Sequence, residues 1–99
     1  MPYATPLTEA EIAAALPTVP EWRRDGDWLM RTVVCPTFRA SIALVAAVAD
    51  AAEEADHHPD IEISWRRVTF RLTTKAARAL TVKDVAMAAT INRLASITA

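Results

Sequence analysis

Cysteine is almost absent from this chain of 99 residues. Its single thiol, Cys35, excludes an internal disulfide and any multi-cysteine metal site. The lack of disulfides fits a reducing cytosolic compartment. Net charge is nearly absent too, at a formal -1, which removes the electrostatic case for nucleic acid or an anionic membrane surface. No apolar run approaches the ~20 residues that span a bilayer. The opening residues, Met1-Pro2-Tyr3-Ala4-Thr5-Pro6, show neither the basic region nor the apolar run of a secretory signal. Repeats, low-complexity segments and internal linkers are also missing. The expectation is a cytoplasmic protein with no membrane and no nucleic-acid partner. Length predicts one modest core, with a loose tail over residues 1–6 and a single domain over residues 7–99. Hydrophobic residues make up 53% of the chain, but alanine inflates that figure. The core must come from the larger Leu, Ile, Val, Trp, Phe and Met side chains.

The elements can be read from punctuation and period. Thr8-Glu9-Ala10-Glu11 has the capping-box pattern and predicts a helix from about Glu9 to Leu16, stopped by Pro17. Trp22 to Cys35 reads as a strand pair turning at Asp25-Gly26, where a type I′ turn needs two residues of positive φ. Pro36 ends the second strand and Thr37 is an N-cap for a long helix over about Phe38 to Asp56. In that helix Phe38, Ile42, Val45, Ala49 and Ala52 recur at helical spacing as an apolar stripe, widened by Leu44 and Val48. Ile61, Ile63 and Trp65 alternate with polar residues, as do Val68, Phe70 and Leu72. These are two half-buried strands, with Arg66-Arg67 as an awkward turn between them. A loop from Lys75 to Leu80 leads to Thr81-Val82-Lys83-Asp84, which opens a last helix with Met87, Ile91, Leu94 and Ala95 on its apolar face. The order α-β-β-α-β-β-α predicts an α+β fold: a four-stranded antiparallel sheet with three helices packed on one face.

Histidine occurs only in Asp56-His57-His58-Pro59, at the predicted junction of helix and strand. Imidazole gives and takes protons near neutral pH. Glu53 stands one helical turn before His57, within reach of its ring if both are helical. Pro59 disfavours helical geometry at His58 and fixes the exit. Read locally, a histidine in the last helical turn is simply a solvated residue favoured by the helix dipole. Asp84 has a capping role, Lys75 reads as a loop lysine, and Trp22, Trp28 and Trp65 read as core or interface. A metal site is disfavoured, because adjacent histidines diverge and no cysteine completes a shell.

The combination of Glu53, His57-His58-Pro59, an aromatic at Trp65 and Asp84 resembles the signature of the pterin-4a-carbinolamine dehydratases. The resemblance runs from Leu7-Thr8 through Trp22, Phe38 and the segment Val68-Thr69-Phe70-Arg71-Leu72-Thr73-Thr74 into the final helix. It implies a sheet of four antiparallel strands under three helices, and a homodimer or homotetramer. It implies dehydration of a 4a-hydroxytetrahydropterin to a quinonoid dihydropterin, in the recycling of tetrahydrobiopterin-type cofactors, with no metal or organic cofactor. On this resemblance His57 acts as acid or base with Glu53 on its far nitrogen. His58 binds and orients the pterin, with Glu53 and Trp65 beside it. Asp84 orients the group at a third-histidine position.

That position holds Lys75. A lysine beside a carboxylate stays protonated and can donate a hydrogen bond, but serves poorly as a base. Two classes therefore stay open. One is a hydro-lyase, slowed by Lys75. The other is a non-catalytic pterin-binding, assembly or dimerisation factor with a protein partner on the same fold. Edge strands of a four-stranded sheet also favour pairing between copies.

Overall fold

The computed structural model describes residues 4–98, so Met1 to Tyr3 of the expected tail lie outside the described residues. The element order is α1 (Glu9–Ala15), a 3₁₀ turn (Leu16–Thr18), β1 (Arg23–Asp25), β2 (Trp28–Val34), α2 (Phe38–Ala55), β3 (Asp60–Ser64), β4 (Arg67–Leu72) and α3 (Val82–Thr98). No described helix is long and apolar enough to cross a membrane.

The capping box of α1 forms as its sequence predicts. The Glu11 amide donates to Thr8 Oγ1 at 3.1 Å and the Thr8 amide to Glu11 Oε1 at 2.8 Å, meeting two otherwise free donors. Arg24 ties α1 to β1 through both oxygens of Glu9, at 2.6 and 2.9 Å. That hydrogen-bonded guanidinium holds the Glu9 carboxyl below the ordinary carboxylate range.

The four strands form one antiparallel sheet in the order β1-β2-β4-β3. Its register sets Leu29 opposite Leu72 and Val33 opposite Val68, with Phe70 between them on the same face. These five side chains are buried and pack with Ile12, Leu44, Val48, Met87 and Ile91 of the helices. The other face carries Met30, Thr32, Thr69 and Arg71, and none of the described helices covers it. Arg31 points to the core side opposite Phe70, where Asn92 of α3 meets it: Asn92 Oδ1 accepts from Arg31 at 2.6 Å and from Trp22 Nε1 at 2.7 Å.

Both hairpin turns differ from the expected residues. Asp25 pairs with Trp28, so Gly26 and Asp27 are the central pair, and Gly26 alone has positive φ, at 61°. Ser64 pairs with Arg67, so the second turn is Trp65-Arg66 rather than Arg66-Arg67. Trp65 takes φ 55° and stands 67% exposed. A shift of two in strand pairing keeps the same side chains on the same face. The alternation around the turn therefore cannot separate the two registers.

The apolar stripe on α2 is also displaced. Its buried residues are Ser41, Leu44, Val48 and Ala52. Phe38 and Ile42 are 52% and 45% exposed, and Ala49 is exposed. An alanine-rich helix offers several stripes of similar spacing, and packing against α3 and β4 selects the one with Leu44 and Val48. Leu44→Ala should cost about 2–5 kcal/mol. Ile42→Ala, one face away, should cost under ~1 kcal/mol in dilute monomer. Urea unfolding of the two variants measures the contrast, and equal costs contradict this choice of face.

Candidate active site at the end of helix α2

Helix α2 ends in a left-handed cap. Asp56 takes φ 50° and ψ 45°, a conformation that aspartate tolerates better than most residues. Its amide donates back to the Glu53 carbonyl and the His57 amide to the Ala52 carbonyl, the paired bonds of a Schellman motif. The chain reverses at this point. His57 therefore leaves the helix and does not face Glu53.

The consequence is an exchange of partners relative to the sequence expectation. His57 Nε2 lies 2.7 Å from Asp84 Oδ1, with the ring largely shielded and Asp84 wholly buried. Glu53 pairs instead with Nε2 of His58, and both side chains stay in solvent. The i, i+4 rule fails because it requires a helical His57.

Asp84 sits at the third position of α3 and closes its N-terminus. Its Oδ2 accepts from the Thr81 amide at 2.9 Å and from Thr74 Oγ1 at 2.8 Å. The capping role and the contact with His57 thus use different oxygens of one carboxylate. A buried carboxylate needs such donors, since an unmet buried charge is far costlier than an unmet neutral group.

Lys75 does not join Asp84. Its ammonium is exposed and pairs with Asp60 Oδ1 at 3.3 Å. Thr74 and Ala79 form an isolated antiparallel bridge, and the turn between them opens at Lys75, whose carbonyl accepts from the Arg78 amide at 3.2 Å. Thr74 is buried on Asp84, whereas Lys75 lies in the turn with its side chain in solvent. Trp65 is not on β3 as expected. It sits in the turn at the far end of that strand, five residues of β3 away from Asp60, or roughly 16 Å along the sheet. Within one chain it does not converge with the histidine pair. Its ring is covered by Arg66, 4.4 Å from the centroid.

Thr74, Thr81 and Lys83 were not singled out as site residues from sequence. The two threonines carry the Asp84 contacts. Lys83 lines an open depression of about 160 Å³ together with His57, Ala55, Ala86, Met87 and Thr90. A neighbouring depression of about 280 Å³ shares Ala55, Met87 and Thr90 and extends to Glu54 and Arg93. The available signal was the pair Thr73-Thr74, polar residues that continue the half-buried β4. No group of three or more His, Cys, Asp or Glu side chains among the described residues is placed to hold a metal ion.

The sequence profile described as pterin 4 alpha carbinolamine dehydratase matches residues 5–94. The chain belongs to this family. A protein of Nocardia farcinica, provisionally named as a pterin-4-alpha-carbinolamine dehydratase, is 52% identical over 89 residues, covering 90% of this chain and 94% of its own. A similarly named protein of Mycolicibacterium smegmatis is 52% identical over 90 residues, covering 91% and 96%. Among solved structures, a transcriptional coactivator/pterin dehydratase from Brucella melitensis superposes with a TM-score of 0.89 at 29% identity, covering 92% of this chain and 99% of that one. A pterin dehydratase-like RuBisCO assembly factor of the alpha-carboxysome gives a TM-score of 0.67 at 26% identity, covering 76% and 89%.

The exchanged partners make a direct prediction for this family member. Ring ¹⁵N spectra should show that Asp84→Asn perturbs His57 and leaves His58 unchanged, whereas Glu53→Gln does the reverse. Asp84→Asn should also lower stability by about 1–3 kcal/mol, because an amide cannot accept from all three donors. An effect of Glu53→Gln on His57 would contradict the pairing.

Proposed function

We propose that this chain is a 4a-hydroxytetrahydropterin dehydratase, and the observation that carries the reading is the contact of His57 with buried Asp84. Dehydration breaks the C4a–O bond, removes the proton from the neighbouring ring N–H, and leaves a C=N bond and water. One group must take the ring proton and another must protonate the departing hydroxyl. Asp84 Oδ1 takes the hydrogen on His57 Nε2. The lone pair then lies on Nδ1, which has no partner among the described residues, and Nδ1 acts as the base. His58, paired with Glu53 in solvent, binds the pterin and delivers the proton to the leaving oxygen. The family membership supports this reaction class.

Lys75 limits the rate. A third histidine at that position would add a second acid or base near neutral pH, which the ion-paired ammonium does not supply.

A second reading is favoured by the apolar stripe that Phe38 and Ile42 leave on the outside of α2. On this reading the chain is an assembly or dimerisation factor, and α2 or the β3 edge is the contact surface, whether for another copy in a homodimer or homotetramer or for a protein partner. The likeness to a RuBisCO assembly factor is consistent with it.

Stopped-flow dehydration of a 4a-hydroxytetrahydropterin separates the readings. Replacing His57 by Gln should lower kcat by roughly 100- to 10,000-fold. Lys75→His should raise kcat above wild type. Equal rates for wild type and Lys75→His would remove the rate-limiting role of Lys75. Failure of wild type to bind a reduced pterin in a titration would favour the assembly reading.

A further inference from the structure

The hydrogens around Asp84 can be placed one by one. The Lys83 amide donates to Thr81 Oγ1 at 3.2 Å. The hydroxyls of Thr81 and Thr74 lie 2.7 Å apart, and Thr74 Oγ1 donates to Asp84 Oδ2 at 2.8 Å. Each hydroxyl carries one hydrogen. Thr74 uses its hydrogen on Asp84, so the hydrogen shared between the two hydroxyls belongs to Thr81. The chain of bonds runs one way, from Lys83 N–H through Thr81 and Thr74 to Asp84. Oδ2 also holds the Thr81 amide at 2.9 Å, which leaves Oδ1 for His57 at 2.7 Å.

We infer that Thr74 is a positioning residue for His57: its hydroxyl locks the plane of the Asp84 carboxylate and so holds the imidazole in the Nε2–H form. The carboxylate torsion of aspartate is intrinsically broad. A single backbone donor on Oδ2 lets the plane swing, and a second donor from another direction stops it. Thr74 comes from the loop after β4 and Thr81 from the start of α3, so the two donors reach Oδ2 from separate segments. All three side chains are buried, at 6%, 0% and 0% exposure for Thr74, Thr81 and Asp84. In such low-dielectric surroundings hydrogen bonds reinforce one another. The inference rests on the dehydratase reading only where it makes Nδ1 the working nitrogen.

The test compares wild type, Thr74→Val and Thr74→Ser by ring ¹⁵N spectra at neutral pH and by dehydration kinetics. Wild-type His57 should show a single Nε2–H tautomer. Thr74→Val, nearly isosteric, should show both tautomers, with kcat lowered about 10- to 100-fold, the range found when the hydrogen-bonded partners that orient metal-bound histidines are removed. KM should move little, because Thr74 touches no substrate. Thr74→Ser should restore the single tautomer and the rate. If Thr74→Val fails to fold, Thr74→Ala removes the same hydroxyl with less bulk and carries the same comparison. A folded valine variant with the wild-type tautomer and rate overturns the inference, since a merely structural hydroxyl would alter stability alone. A wild type that shows the Thr74-dependent tautomer yet dehydrates no pterin upholds the positioning and overturns the dehydratase reading.

Discussion

A carboxylate with no access to solvent has to be met by donors from the protein, and Asp84 is met by three. One comes from a backbone amide at the head of α3, one from the hydroxyl of Thr74 after β4, and one from His57 beyond the end of α2. The three donors belong to different segments, so this one side chain joins the end of the sheet to both long helices. Losing any donor leaves part of a buried charge unmet, which is among the costlier defects in a small protein. The same requirement that steadies the fold therefore orients a histidine, and cap and candidate site are one feature.

The left-handed cap at Asp56 is what makes that arrangement possible. A helix that continued through His57 would set its ring over Glu53 and leave Asp84 without its third donor. Reversal at Asp56 carries His57 inward to α3 and leaves His58 outside with Glu53. Two adjacent histidines thus acquire opposite settings, one shielded and fixed by a buried acid, the other solvated and paired with a surface acid. Such a division suits a reaction that needs one group held firmly and another free to meet substrate.

Much of this was legible in the sequence. Capping boxes and N-caps at Thr8, Thr37 and Thr81, together with Pro17 and Pro36, located the helices closely. Alternation along β4 identified its buried face. What the sequence did not reveal were matters of register and of tertiary choice. The turn at Trp65-Arg66 is invisible to alternation, because pairings two residues apart bury the same side chains. The stripe on α2 was drawn too wide: Leu44, Val48 and Ala52 are buried and Val45 packs on the core, but Phe38, Ile42 and Ala49 face outward, and contact with α3 and β4 makes that choice among neighbouring apolar faces. The exchange between Glu53 and Asp84 followed from one residue of positive φ that no periodicity reports. The departure at Lys75 was visible from sequence, but its pairing with Asp60 depends on the turn that Lys75 opens after Thr74.

The central claim is that His57, held by Asp84, is the group that meets the reacting part of a pterin. A crystal structure of the protein with a reduced pterin analogue tests it most directly. The account predicts His57 Nδ1 within hydrogen-bonding distance of the pterin ring N–H next to C4a, with Nε2 still on Asp84. A pterin bound elsewhere, with His57 out of contact with the ring, would contradict it.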